Sequence, residues 1–258
     1  MLVDTHCHLD LPPLYENLEK ILEAAFAAGV SRFVVPGVHP DNWERILSIA
    51  RRYDSVYPAF GIHPMYADLP GNEMLERLSL FAGKGIAIGE TGLDSMLPVP
   101  LEMQEQLFRH HIRLANKNEL PLLVHCRRAF NRTLQILREE KAARGGIMHA
   151  FSGSPEMALM FIKCGFMISI SGTVTWENSG RPKRVASGIP LSALLFETDA
   201  PDLAPEKFKG GPNQPAFMTE NLLAASVLRG VAPAELAAAS SENSIRIFGM
   251  NGHSKKAR

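Results

Sequence analysis

Residues 120–153 read LPLLVHCRRAFNRTLQILREEKAARGGIMHAFSG, and their order decides the fold. LPLLV is a short apolar run that ends on His125, Cys126 and Arg127. NRTLQILREEKAAR then carries apolar residues at helical spacing, and GGIM is a second short apolar run that ends on His149. A strand, a crossover of helix length and another strand form the unit that pairs strands in parallel.

The same alternation runs through the chain. LVDTH precedes the helix-like YENLEKILEAAFAAG, which ends on Gly29 as a helix C-terminus should. SRFVVPG precedes DNWERILSIARRY, VYPAFGIHP precedes NEMLERLSLFAG, and GIAIGETG precedes LEMQEQLFRHHIRLANKN. GGIMHAFSG precedes PEMALMFIKCG, and FMISISG and the stretch ending LLFETDAP complete about eight strand candidates. Such alternation, without a Pro/Gly/Ser-rich linker, predicts a single α/β domain over 1–250, a closed parallel (β/α)8 TIM barrel, with a polar tail at 251–258. An open doubly wound sheet is the competitor, but no Gly-x-Gly-x-x-Gly follows the first strand, so a dinucleotide site gains no support.

Composition narrows the partners. Lys plus Arg and Asp plus Glu are 27 each among 258 residues, so nothing in the charge demands a long nucleic-acid duplex or an anionic membrane. A short nucleic-acid end held by local cations is compatible with this balance. The longest apolar runs fall far short of the roughly 20 residues needed to cross a bilayer. Asp4 and His6 stand where a signal peptide carries a basic start and an apolar run, and Cys7, Cys126 and Cys164 are widely spaced. The expectation is a cytoplasmic protein without a disulfide framework.

In a barrel the site lies where the strands end, so polar residues there carry a functional reading. His6 and His8 end the first strand candidate, His63 the third, Glu90 the fourth, His125 the fifth, His149 the sixth and Asp199 the eighth. Any one of them has an ordinary explanation as a core or turn residue. Together they form a set of imidazoles and carboxylates suited to a divalent transition metal. Strand alternation puts His6 and His8 on one face with Asp4, and Cys7 on the other, while Cys126 lies opposite His125. The cysteines therefore read as buried apolar residues rather than ligands or nucleophiles. Asp4 reads equally as a residue orienting a ligand or as a hydrogen-bonded part of the barrel core. His39 could join the rim, whereas His110 and His111, within a helix, read as peripheral.

Motifs along nearly the whole chain resemble the TatD family of metal-dependent hydrolases: DTHCHLD at 4–10, GIHP at 61–64, GETGLD at 89–94, HCRRAF at 125–130, HAFSGS at 149–154, ETDAPDL at 197–203, GGPNQP at 210–215 and ENSIRIF at 242–248. The resemblance implies two divalent ions, whether zinc, magnesium or manganese. His6, His8, Glu90 and Asp199 would hold one, and Glu90, His125 and His149 the other, with Glu90 bridging. His63 and Arg127 would meet substrate, and Glu90 and Asp199 would be catalytic. The implied activity is chiefly deoxyribonuclease, including removal of nucleotides from a 3′ end, with single-stranded DNA or a nucleotide end as substrate; the sequence does not encode the oligomeric state, and a monomer is the expectation.

One departure bears on substrate. Family members often carry an aromatic residue after Gly-Leu-Asp, a place for a base to stack, but here the chain reads GLDSMLPVP, with Ser95 and Met96. Pro98 and Pro100 make a fixed loop of this segment. In such a site the metals would polarise a phosphoryl oxygen and acidify a water, Asp199 would take its proton, and Arg127 would supply positive charge. Arg128 has the opposite parity and reads as a helix-start or surface cation. Arg181, Lys183, Arg184, Lys207 and Lys209 either line a groove for a phosphate backbone or sit in solvated loops. The same chemistry would serve an amide or ester, and a third reading is a metal-bound binding protein without turnover.

Overall fold

The structure, a computed structural model, describes residues 1–68 and 71–250; the expected polar tail at 251–258 lies outside them. Eight strands alternate with helices: β1 (Leu2–Asp4), α1 (Leu18–Ala27), β2 (Val30–Pro36), α2 (Trp43–Arg52), β3 (Val56–Ala59), α3 (Asn72–Ala82), β4 (Ile88–Asp94) and α4 (Leu101–Asn118). They continue as β5 (Leu122–Arg127), α5 (Phe130–Glu139), β6 (Gly146–Met148), α6 (Pro155–Lys163), β7 (Phe166–Ile170), α7 (Gly180–Gly188), β8 (Leu194–Phe196), α8 (Met218–Arg229) and α9 (Pro233–Phe248). Every recorded strand pair is parallel, in the order β1-β2-β3 and β4-β5-β6-β7-β8.

Backbone hydrogen bonds join the two sets at both seams. Between β3 and β4, Ile86 N–H donates to Pro58 O at 2.9 Å and Gly89 N–H to Phe60 O at 2.9 Å. Between β8 and β1, Thr5 N–H donates to Phe196 O at 3.3 Å and Asp199 N–H to His6 O at 2.9 Å. The result is a (β/α)8 barrel.

Two apolar layers follow from strand alternation. Val3, Val34, Ala59, Ala87, Leu123, Ile147, Met167 and Leu195 meet inside the barrel, one from each strand or its immediate start, and Phe248 at the end of α9 and Met250 beyond it pack on them. The residues of opposite parity, such as Leu122, Val124, Ile168 and Phe196, form the larger layer under the helices. Helix faces match that layer: α2 buries Trp43, Ile46, Leu47, Ile49 and Ala50, and its last turn carries Arg51 and Arg52, cations suited to a helix C-terminus. Ser154 caps α6, its hydroxyl accepting from Met157 N–H at 3.2 Å. Among the described residues no single helix is long and apolar enough to cross a membrane.

His111 departs from the sequence reading. It lies on the face of α4 that also buries Leu107, Phe108 and Leu114, and it is fully buried rather than peripheral. Its Nδ1–H donates to Leu107 O at 2.8 Å, and its Nε2 accepts the N–H of Ile62 at 3.0 Å. The ring thus ties α4 to the segment that leads into His63. Helical spacing alone did not reveal this, because the partner lies on a distant segment, the one that follows β3.

Burial holds the His111 imidazole down at about 4, from an ordinary 6.5. The unfolded chain takes up this proton near pH 6.5 while the native chain resists it until about pH 4. The stabilisation is therefore full above pH 6.5 and is lost as the pH falls through that window. Urea unfolding of the wild type and of His111→Gln is expected to diverge on acidification, the wild type losing about 2 kcal/mol more between pH 6.5 and pH 5. Parallel pH profiles for the two proteins would remove His111 from this account.

Candidate metal centre

The strand ends bring five imidazoles around one carboxylate. Oε2 of Glu90 lies 3.3 Å from His6 Nε2 and 3.8 Å from His8 Nε2. Oε1 lies 3.0 Å from His149 Nε2, 3.2 Å from His125 Nδ1 and 3.6 Å from His63 Nε2. Asp199 adds Oδ1 at 3.6 Å from His8 Nε2 and 3.7 Å from His6 Nε2. Among the described residues three overlapping sets have ligand atoms within 4.8 Å of one another: His6, His149 and Asp199; His6, His8 and Glu90; and His63, Glu90 and His125.

Local backbone explains how the chain reaches these positions. In β5 and β6 simple alternation suffices, since Leu123 and Ile147 line the interior and His125 and His149 stand two residues later. Strand β4 needs more. Its register shifts between Ile88 and Thr91, and Gly92, at φ 138°, passes so close to β5 that a Cβ there would lie 1.9 Å from the His125 carbonyl oxygen. Asp199, three residues beyond β8, adopts φ 58°, a left-handed conformation that costs an aspartate of order 1–3 kcal/mol.

The start of the chain corrects the parity argument while keeping part of its outcome. β1 ends at Asp4, and it is Val3 and Thr5 that face inward, the Thr5 hydroxyl meeting that of Ser169 at 2.9 Å. Asp4 turns to the β8 seam, where its carboxylate accepts the Thr198 N–H at 3.0 Å and the Thr198 hydroxyl at 2.6 Å. Of the two roles read for Asp4, the hydrogen-bonded structural one fits. The chain bends after Thr5, so His6 and His8 enter the cluster and Cys7 packs in the layer under the helices. The Cys126 thiol meets Thr133 Oγ1 at 3.2 Å, and burial pushes it up to about 12. Neither thiol is poised as a nucleophile at neutral pH.

Hydrogen bonds on the outer side of each ring separate the histidines. His125 directs Nε2 at Asp94 Oδ2, 3.0 Å away, and His149 directs Nδ1 at Glu197 Oε1, 3.3 Å away. A neutral ring that donates outward presents its other nitrogen, Nδ1 of His125 and Nε2 of His149, as a lone pair toward Glu90. His63 is arranged the other way: its Nδ1 accepts the Met65 N–H at 3.1 Å, so its proton sits on Nε2, facing Glu90. Proximity admits His63 as a ligand, but this bond makes it a donor. Asp94 and Glu197 were not singled out from sequence, although both lie within motifs quoted there; their partners are defined only by neighbouring strands.

The residues fit a metal. His6 Nδ1 and Nε2 and His8 Nδ1 are buried without a hydrogen-bond partner, an arrangement that costs free energy unless something binds there. Electrostatics point the same way. Burial would raise the Glu90 carboxyl, yet His149, His6 and His63 hold it well below the carboxylate range. Burial would lower His8, yet Asp199 and Glu90 draw it up to about 9. Burial takes His63 down to about 4. The carboxylates attract positive charge into a buried site, which is what a divalent cation supplies. Side-chain exposure is 4% for Glu90, 14% for Asp199 and 19% for His125, so the mouth lies at the latter two.

The remaining candidates sit farther out. Arg127 ends β5 in register with Asp94 and is exposed. Arg128, at φ 55°, is an exposed residue before α5. His39 caps the turn before α2, accepting the Asp41 N–H at 3.3 Å, and its ring packs edge-on against Tyr66. His110 is half-buried on α4.

Known proteins share the fold and about a third of the sequence. The family described as TatD related DNase matches residues 3–249. The uncharacterized metal-dependent hydrolase YjjV of Escherichia coli K12 is 34% identical over 251 residues, covering 95% of this chain and 97% of that one. The uncharacterized metal-dependent hydrolase YabD of Bacillus subtilis 168 is 38% identical over 256 residues, covering 97% and 100%. The crystal structure of YjjV, a TatD homolog, matches with a TM-score of 0.92, covering 96% of this chain and 98% of its own. With a matched segment that spans every strand of the barrel and every residue of the cluster, the chain belongs to the TatD family of metal-dependent hydrolases.

Proposed function

We propose that this chain is a phosphodiesterase that removes nucleotides from the 3′ end of single-stranded DNA, using two divalent cations. The observation that carries the reading is the division of labour within Glu90: Oε2 faces His6 and His8, and Oε1 faces His125 and His149. A carboxylate whose two oxygens serve two imidazole sets suits a bridge between two ions. His6, His8 and Asp199 complete one set, and His125 and His149 the other. Zinc, manganese and magnesium all accept such ligands, occupancy following availability as well as affinity. Support for a phosphodiester comes from the family's description and from the exposed guanidinium of Arg127 beside the mouth.

When bound, the cations supply Lewis acidity toward a phosphoryl oxygen and lower the pKa of water. The protein's own residues do the rest. Asp199, at the mouth, takes the proton of the attacking water as its oxygen bonds to phosphorus and the bond to the leaving oxygen breaks. Arg127 offsets the charge added to the phosphoryl group, and the Nε2–H of His63, which faces into the cluster, donates to a substrate oxygen. Asp94 and Glu197 fix the rings of His125 and His149 in the tautomers that expose their lone pairs.

Purified protein supplied with manganese, magnesium or zinc is expected to shorten a single-stranded oligonucleotide from its 3′ end. Glu90→Gln or Asp199→Asn should lower kcat at least a thousandfold while leaving the thermal midpoint of the metal-free protein within a few degrees, because each removes a charge and little volume. No turnover of phosphodiesters under any of the three metals, together with turnover of an amide or ester panel, would transfer the reading to acyl hydrolysis.

Glu197→Gln keeps a hydrogen-bonding oxygen but removes the charge behind His149. Chelator competition should show metal affinity reduced ten- to a hundredfold. Affinity equal to that of the wild type would deny Glu197 this role.

A further inference from the structure

The loop after β4 carries Ser95 and the half-exposed Met96, so it presents no aromatic face to a base. An aromatic face occurs elsewhere on the rim. Trp176 follows β7, half-buried, and its Nε1–H donates to Ala204 O at 2.9 Å, five residues after Asp199. The same two loops are joined where Glu206 N–H donates to Thr175 Oγ1 at 2.8 Å, and where Gly172 lies so close that a Cβ would stand 2.1 Å from Leu203 O. The edge of the indole is therefore held against the segment that carries Asp199.

A cation stands over its face. Lys209 Nζ stands 5.2 Å from the Trp176 ring centroid and 3.2 Å from Glu206 Oε1, and both Lys209 and Glu206 are long, exposed side chains. Beside the ring is a cavity of about 180 Å³ lined by Trp176, Asn178, Ser179, Lys209, Glu177 and Glu206. That is less than the roughly 300 Å³ at which pockets begin to hold whole ligands, and suits a single ring system. Arg181, Lys183 and Arg184 occupy the first turns of α7 next to it, with Lys183 Nζ donating to Glu177 O at 3.0 Å. The two acids are outnumbered by these cations, and Glu206 is already engaged by Lys209.

We infer that the loops after β7 and β8 form a nucleotide subsite beside the metal centre, in which a base stacks on Trp176 and Lys209 leaves the ring to contact the adjoining phosphate. Stacking on an indole tolerates any base because every base has a π-face, and an ammonium moving from ring and carboxylate to phosphate keeps a charged partner throughout. The subsite holds the strand at one nucleotide while the centre acts on another. This inference rests on the phosphodiesterase reading.

The chain has two tryptophans, and Trp43 is fully buried with its Nε1–H on Gly61 O, so emission that responds to ligand reports Trp176. Oligothymidylate titrated into the Asp199→Asn protein, which binds without turnover, is expected to quench that emission. The quench should vanish in Asp199→Asn/Trp176→Phe while fluorescence anisotropy of a labelled oligonucleotide still reports binding. In the otherwise intact enzyme, Trp176→Ala should raise KM for the oligonucleotide about tenfold with kcat within about twofold, and Trp176→Phe should restore most of the loss. Lys209→Met should flatten the plot of log Kd against log salt by about 0.7, the share of one phosphate on a single strand. Saturation by anisotropy without any change in emission, or an unchanged KM in Trp176→Ala, overturns the stacking subsite, and an unchanged salt slope in Lys209→Met overturns the phosphate contact. Failure of the wild type to cut the oligonucleotide under any metal overturns the phosphodiesterase reading itself, a result separable because the emission titration needs no turnover.

Discussion

Asp4 is fully buried and accepts two hydrogen bonds from Thr198, a residue 194 positions along the chain that lies just beyond β8. Burial pushes its carboxyl up to about 7, against the bonds from Thr198 that favour the charged form. This contact closes β1 on β8, and the backbone continues what it starts: Asp199 N–H donates to His6 O at 2.9 Å, and His8 N–H donates to Ala200 O at 2.8 Å. Three ligand candidates from opposite ends of the chain are thus placed by main-chain bonds. The left-handed backbone at Asp199 persists because those bonds over-determine it. A site aligned through its scaffold keeps its ligand atoms where long side chains alone would let them drift.

Glu90 sets the complementary electrostatic condition. A buried carboxylate is costly unless countercharge and hydrogen bonds surround it, and here His6, His63, His125 and His149 all approach within 3.6 Å. Asp199, Asp94 and Glu197 add further negative charge around the same rings. Protons answer that demand where no cation does: His8 is drawn upward despite its burial, and His149 is drawn well above its ordinary range by Glu90 and Asp199, again against burial. Metal binding to such a set displaces protons from imidazole, so affinity and pH are coupled through the same residues.

The alternation of strand and helix was legible in the sequence because each strand is a short apolar run and each crossover shows helical spacing. The rim was legible in β5 and β6, where regular alternation carries Leu123 to His125 and Ile147 to His149. It was less so at β1 and β4. Register shifts between Leu2 and Val3, and between Ile88 and Thr91, reset which face a residue takes, and no periodicity in a stretch of three to seven residues encodes such a shift. Parity consequently gave the right side for Cys7 and the wrong one for Asp4. Asp94 and Glu197 were not singled out, and His111 was read as peripheral, for a different reason. Each acts through a partner on another element, His125, His149 and the Ile62 amide respectively, so their roles come into being only when the barrel closes.

Residue type and distance are also insufficient to separate the histidines of the cluster from one another. His63 lies 3.6 Å from Glu90, nearer than His8 at 3.8 Å, and like the others it is an imidazole at a strand end. What distinguishes it is the far side of the ring. Where that side donates to Asp94 or Glu197, a lone pair faces inward and can hold a cation; where it accepts from the Met65 amide, an N–H faces inward and can hold an anion's oxygen. The first arrangement needs a carboxylate behind the ring and the second needs a turn that presents a free amide, here the one that begins at Pro64. One residue type thus presents both inward lone pairs and an inward N–H within a single cluster, and the difference is made by backbone and carboxylate groups outside it.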